Sequence, residues 1–145
     1  MKFLLGANCW MQIVREREHA EDVRRLIHGV PASRIRVTDF ALHSVGVVMR
    51  RQGMFQHFPA FLELSGIGRT IELVDIEVPE LVNLVDLCQN FGLDFDDAYQ
   101  YMAAQIHGLH LVSLDADFDR TPNGRLTPAA ALERFKEERK QRQEP

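Results

Sequence analysis

Apolar residues recur along this chain in two rhythms, short unbroken runs and helical stripes, and the two alternate. Phe3-Leu4-Leu5, closed by Gly6, reads as a buried strand. From Glu18 to His28, Val23, Leu26 and Ile27 fall on one side and charges on the other, which predicts a helix with Gly29 and Pro31 as stop signals. Ile35-Arg36-Val37 is a second short strand, and Thr38-Asp39 stands where it can cap a helix reaching about Arg51. That helix is apolar over much of its surface (Phe40, Leu42, Val45, Val47, Val48, Met49), which predicts burial on more than one side. Gly46 within it admits a neighbouring element closely. Phe55 to Leu64 predicts a further short helix with Pro59 near its first turn.

Thr70-Ile71-Glu72-Leu73-Val74 is a third strand. Pro79 suits the first turn of the next helix, along which Leu81, Val85 and Cys88 align, and Asn90 and Gly92 close it. A helix from about Phe95 to His107 follows, with Phe95, Ala98, Met102 and Ile106 on one face. His110-Leu111-Val112-Ser113 is a fourth strand, and an acidic turn comes directly after it. Thr127-Pro128 opens the last helix as N-cap and first residue, and residues 133–145, dense in both signs of charge, read as a solvated helix end or tail. Strands alternating with helices predict an α/β fold, a short and mostly parallel central sheet of about four to five strands flanked by helices. No linker, repeat or low-complexity stretch interrupts residues 1–145, so one domain is expected. In such folds chemistry gathers at the carboxyl ends of the strands.

Composition narrows the function more than the fold. The 145 residues are 46% hydrophobic and 26% charged, with a formal net charge of −4. That balance argues against holding nucleic acid by bulk electrostatics, since non-specific affinity comes from Lys and Arg neutralising phosphates. It leaves room for a nuclease whose acidic centre binds a metal beside a local basic rim. The two cysteines, Cys9 and Cys88, lack partners at metal-ligand spacing and read as small core residues in a reducing cytoplasm. The apolar start is broken by Gly6, Asn8 and Gln12 and followed by Arg15-Glu16-Arg17-Glu18, unlike a signal peptide. No segment approaches the ~20 apolar residues that span a bilayer. A soluble cytoplasmic chain without membrane contact is therefore expected.

The densest chemistry lies between Leu93 and Phe118. Asp97 falls in the first turn of a predicted helix, and Asp115 and Asp117 fall just past a predicted strand. If helix and strand run side by side, these carboxylates meet at one edge of the sheet. Adjacent anions raise one another's pKa, and a divalent cation such as magnesium or manganese, which prefers carboxylate and water oxygens, relieves the repulsion. A plainer reading stands beside this one. Asp94 can cap the helix, Asp96 and Asp97 favour its positive end, and Asp115 and Asp117 can be turn residues. His107 and His110 flank Gly108 near the acidic turn, but neither has a matched nucleophile or metal partner by spacing; His43 could touch the site through its helix. Nothing resembles a Ser-His-Asp set or a phosphate-cradling glycine loop, and Gly66 and Gly68 read as turn residues.

The order of elements and three stretches resemble the PIN-domain family, which includes the VapC-like toxin ribonucleases of toxin–antitoxin pairs. Met1-Lys2-Phe3-Leu4-Leu5-Gly6-Ala7-Asn8 resembles the family's opening, Asp97-Ala98 its helix-starting "D-A", and Ser113-Leu114-Asp115-Ala116-Asp117-Phe118 its turn after the following strand. The resemblance runs from Met1 to about Arg120. It implies a PIN-like fold, a magnesium- or manganese-dependent endoribonuclease, a metal site at Asp97, Asp115 and Asp117, and supporting roles for Asn8, Asp39 and Ser113. RNA as substrate, a small antitoxin and a homodimer are the implied partners, with the helices Asp39–Arg51 and Phe55–Leu64 as candidate surfaces. Two departures stand out. Gly6 occupies the position of the family's first metal-site aspartate, and Ser44 that of a glutamate; Asp39 is the candidate substitute, or else part of the helix cap. With two of four principal acids replaced, the resemblance implies a weakened nuclease, or alternatively a PIN module without catalysis that binds RNA or protein.

Overall fold

The computed structural model describes residues 1–143. Four short strands, β1 (Phe3–Leu5), β2 (Ile35–Thr38), β3 (Glu72–Val74) and β4 (His110–Val112), form one sheet in the order β3-β2-β1-β4. Every pairing is parallel: Phe3 lies opposite Ile35 and His110, and Arg36 opposite Glu72. β1, flanked on both edges, is buried at all three residues, as expected of a central parallel strand that faces helices on either side. The strand count lands at the lower end of the expected range. Beyond β4, one bridge between Val112 and Leu126 marks where a fifth strand would lie.

Among the described residues seven α-helices surround the sheet: α1 (Ala7–Val14), α2 (Ala20–Gly29), α3 (Asp39–Arg51), α4 (Phe58–Ser65), α5 (Leu84–Phe91), α6 (Phe95–Ile106) and α7 (Pro128–Gln143). Two cores result, one on each face. Phe3 and Leu5 point to the side of Cys9, Val23, Leu26, Val45, Met49 and Phe135. Leu4 points to the opposite side, where Leu84, Ala98, Tyr101, Leu111 and Phe118 pack. This is the alternation that a strand's two-residue period imposes.

Several expectations are corrected in detail. α1 was not foreseen: it buries Cys9, Trp10 and Met11 in succession because α2 and α3 both pack against it, so no one-sided stripe marks it. The third strand is shorter than Thr70–Val74, since Ile71 instead bridges to Ile67. Phe55 opens a 3-10 turn, and the helix begins at Phe58 with Pro59 in its first turn, where its missing N–H costs nothing. Pro79 likewise begins a 3-10 segment, Val78–Asn83, so α5 starts at Leu84. Leu84 is then the buried anchor, and Val85, expected in the apolar line, is 54% exposed. In α6 the expected face of Phe95, Ala98, Met102 and Ile106 is rotated. Phe95 and Ile106 are exposed, while Tyr99, Gln100, Tyr101, Ala103 and Ala104 join Ala98 inside.

Other expectations hold. The Thr38 hydroxyl accepts from Ala41 N at 2.9 Å and caps α3, and Thr127 caps α7 through Ala130 N at 3.1 Å. The Phe58 ring lies 3.3 Å from where a Cβ on Gly46 would sit, so glycine there does admit a close neighbour. The charged segment 133–145 is helical to Gln143, and its last two residues lie outside the described residues. No helix among the described residues is long and apolar enough to cross a membrane.

Candidate metal centre

Parallel strands point all their carboxyl ends to one edge, and the sequence places its acids there. β4 ends at Val112, and the chain turns at Ser113 into a 3-10 segment, Ala116–Arg120. Asp115 caps this segment, its Oδ1 accepting from Asp117 N at 2.9 Å. α6 begins two residues before Asp97, which brings that carboxyl to the same edge. Carboxylate oxygens of Asp97, Asp115 and Asp117 lie within 4.8 Å of one another.

The cluster is electrostatically unfavourable as it stands. Partial burial, then the negative charges of Asp115, Asp94, Asp117 and Asp96, push the Asp97 carboxyl from 3.8 up to about 6. One cation stands at the rim, Arg120, which pairs with Asp117 at 3.3 Å and donates to Gly92 O at 3.1 Å. The donors are all carboxylate oxygens, the set that hard divalent cations take. Three crowded carboxylates, one of them with its ionisation resisted, fit a divalent cation.

Asn8 and Ser113 hold the turn that carries the acids. Asn8 Nδ2 donates to Ser113 Oγ at 3.0 Å, and that same oxygen accepts from Asp115 N at 3.0 Å. Asn8 therefore ties the start of α1 to the β4 turn, 105 residues away in sequence, and its amide is engaged in fixing the backbone.

Asp39 does not join the cluster. Its Oδ1 accepts from its neighbour Phe40 N at 2.8 Å and from the Tyr99 hydroxyl at 2.8 Å. Thr38, rather than Asp39, supplies the helix cap.

Beside Asp97 lies a cavity of about 200 Å³ lined by Gly6, Asn8, Ser44, Asp96, Asp97 and Gln100, among others. The two positions that depart from the family pattern thus face the same space as Asp97. Besides Asp97 the carboxylate on its lining is the adjacent Asp96; Gly6 and Ser44 bring none. A Cβ on Gly6 would meet Asn8 Oδ1 and Val112 O at 3.6 Å each, ordinary contact, and the Gly6 backbone at φ −72° suits any residue.

Sequence reasoning passed over Gln100. It is buried, its Nε2 donates to Thr38 Oγ1 at 2.6 Å, and its Oε1 has no partner among the described residues. Its position three residues after Asp97, which is one helical turn, was the available signal. The histidines stand elsewhere: His107 Nε2 is 2.9 Å from Asp75 O, His110 opens β4 at the opposite end, and His43 is exposed.

An apolar surface lies on the other face. α4 buries none of its residues; Leu64 is 87% exposed, and Phe55, Phe58 and Phe61 stack in series. With Trp10, Ile13 and Ile27, Phe61 and Leu64 line a groove of about 240 Å³.

Residues 3–124 match the sequence model of the PIN domain. No curated protein matches the chain in sequence. Solved structures share the fold at low identity. A toxin–antitoxin complex from Klebsiella pneumoniae is 21% identical with a TM-score of 0.67, over 88% of this chain and 98% of that one. A VapC toxin of Mycobacterium tuberculosis that cleaves the sarcin-ricin loop is 11% identical with a TM-score of 0.73, over 86% and 98%. A VapBC pair from Rickettsia felis, bound to DNA from their promoter, is 18% identical with a TM-score of 0.69, over 87% and 97%.

Proposed function

This chain belongs to the PIN-domain family, and we propose that it is a magnesium- or manganese-dependent endoribonuclease of the toxin type, working with a reduced set of acids. The observation that carries this reading is the convergence of Asp97, Asp115 and Asp117, whose oxygens lie within 4.8 Å of one another at the carboxyl edge of a parallel sheet. A divalent ion bound there would polarise a phosphodiester and lower the pKa of a bound water.

The chain's own residues take distinct parts. Asp97, Asp115 and Asp117 hold the ion. Asn8 and Ser113 fix the backbone from which Asp115 and Asp117 project. Arg120, paired to Asp117, offers a cation at the rim against a substrate phosphate. Gly6 and Ser44 carry no charge into the cavity beside Asp97, so the ion is held more weakly than a four-acid site would hold it.

One observation favours a second reading. Asp39 does not line the cavity beside Asp97, and the further acid on its wall is the adjacent Asp96, not a carboxylate at position 6 or 44. A PIN module that binds RNA or protein without cutting it accounts for that directly. Incubation of the protein with single-stranded RNA and manganese separates the two readings. Cleavage that disappears in Asp97→Asn supports the nuclease; intact RNA with measurable binding supports the module.

The partners we propose are a small antitoxin and a second copy of the chain. The exposed apolar side of α4 and the turn before it, with Leu64 and Phe55 uncovered, supports a docked partner there. α3 is the poorer candidate, since Ala41, Val45 and Met49 already commit it to the core.

A further inference from the structure

At the end of α6 opposite to Asp97 lies a second cavity, about 380 Å³, unrelated to the acidic cluster. Gln105, at its wall, is eight residues beyond Asp97, roughly 12 Å along the helix axis. The floor is apolar, formed by Ala104, Leu111 and Leu126, and the walls bring Arg134, His110 and Arg125 together. In a chain of net charge −4, three cationic or protonatable side chains around one cavity are a marked local reversal.

Their commitments differ. Arg125 is spent on the fold: its Nε and Nη2 pair with Asp119 and its Nη1 donates to Ser113 O at 3.1 Å. The N-terminal ammonium nearby is bonded to Glu138 at 3.3 Å. Arg134, exposed on α7, forms no ion pair among the described residues. Burial, then Arg134 and the N-terminal ammonium, push the His110 imidazole below its ordinary value, with Glu138 opposing. Of these groups Arg134 is therefore the cation left without an acidic partner among the described residues.

We propose that this cavity binds a nucleoside monophosphate, its phosphate on Arg134 and His110 and its base over the apolar floor. An unpaired guanidinium is the side chain best suited to a phosphate. The volume, about 380 Å³, exceeds what a bare anion needs and falls within the range of small-ligand sites. Gln105 and Asn123, at the wall, supply amides for the edge of a base. The site depends on no ion at the acidic cluster, so it stands or falls separately from the nuclease reading.

Calorimetric titration with adenosine monophosphate and, separately, inorganic phosphate tests it, with chelator present so that the acidic cluster holds no metal. The expected result is saturable nucleotide binding, weakened about tenfold in Arg134→Gln, unchanged in Asp97→Asn, and tighter than for phosphate. Gln105→Ala is expected to weaken the nucleotide and leave phosphate alone. No binding at millimolar nucleotide, or binding that Arg134→Gln leaves intact, would overturn the proposal. Equal affinity for inorganic phosphate would overturn the nucleotide assignment.

Discussion

Tyr99 donates its hydroxyl proton to Oδ1 of Asp39 across 2.8 Å, and the same hydroxyl oxygen accepts from Ile76 N at 3.1 Å. This contact takes up the one acid of α3's first turn, and Asp39 is not among the charges that raise Asp97. The bond instead joins α3, α6 and the segment after β3. Burial, with the Asp39 contact adding to it, holds the phenol at about 12, so it remains a neutral donor.

Tyr99→Phe leaves the buried Ile76 N–H without its acceptor and removes a hydrogen bond to a charged carboxylate. The expected cost is about 1–3 kcal/mol of stability, read from urea denaturation near neutral pH, with manganese affinity unchanged. A loss of manganese binding in this variant would mean that Asp39 does serve the metal site.

Gly6→Asp is expected to strengthen the site, because the backbone is unstrained and a Cβ there meets only ordinary contacts. Manganese affinity should rise roughly tenfold or more with the added charge. Without metal the same substitution should lower Tm, since a further anion joins the cluster. Opposite signs of the Tm change with and without manganese are the signature; a fall in both conditions would place the new carboxylate away from the ion.

The raised Asp97 carboxyl has a pH consequence. Its folded pKa, about 6, lies above its ordinary 3.8, so the folded state holds the proton more tightly than the unfolded one. The destabilisation is fully present above about pH 6 and is relieved as pH falls towards 3.8. In chelator, Asp97→Asn should exceed wild type in Tm near neutral pH, and the gap should narrow as pH falls through 6. Manganese affinity should weaken over the same fall, because the ligand must be ionised. A Tm gap constant with pH contradicts this account.

Cys9 is fully buried, its Sγ directed at Val112 O across 3.6 Å, and burial pushes its thiol up to about 12. In the folded protein a thiol-specific reagent should modify the half-buried Cys88 first, and Cys9 only as the chain unfolds. Equal rates at both would show that the core around α1 opens readily.

The sequence made the sheet legible because its strands are short apolar runs bounded by turn residues, and the order of elements followed. α1 was hidden because Cys9, Trp10 and Met11 are buried in a row between two helices, which erases the periodic signal. The rotated face of α6 has a related cause: Tyr99 and Gln100 are drawn inward by partners on α3 and near β3 that lie far away in sequence. The acidic triplet could be anticipated from the start of α6 and the turn after β4, and the gaps at Gly6 and Ser44 through the resemblance to the PIN family. That both gaps open onto one cavity with Gln100 required the fold.

Whether the three acids hold a metal decides between a metal centre and a set of caps and turns. Calorimetric titration of manganese into wild type, Asp97→Asn and Asp115→Asn is the decisive measurement. We expect saturable binding at millimolar manganese that is lost in both variants. Absence of binding in wild type, or binding that survives both substitutions, would contradict a metal centre at these residues and leave them as caps and turns.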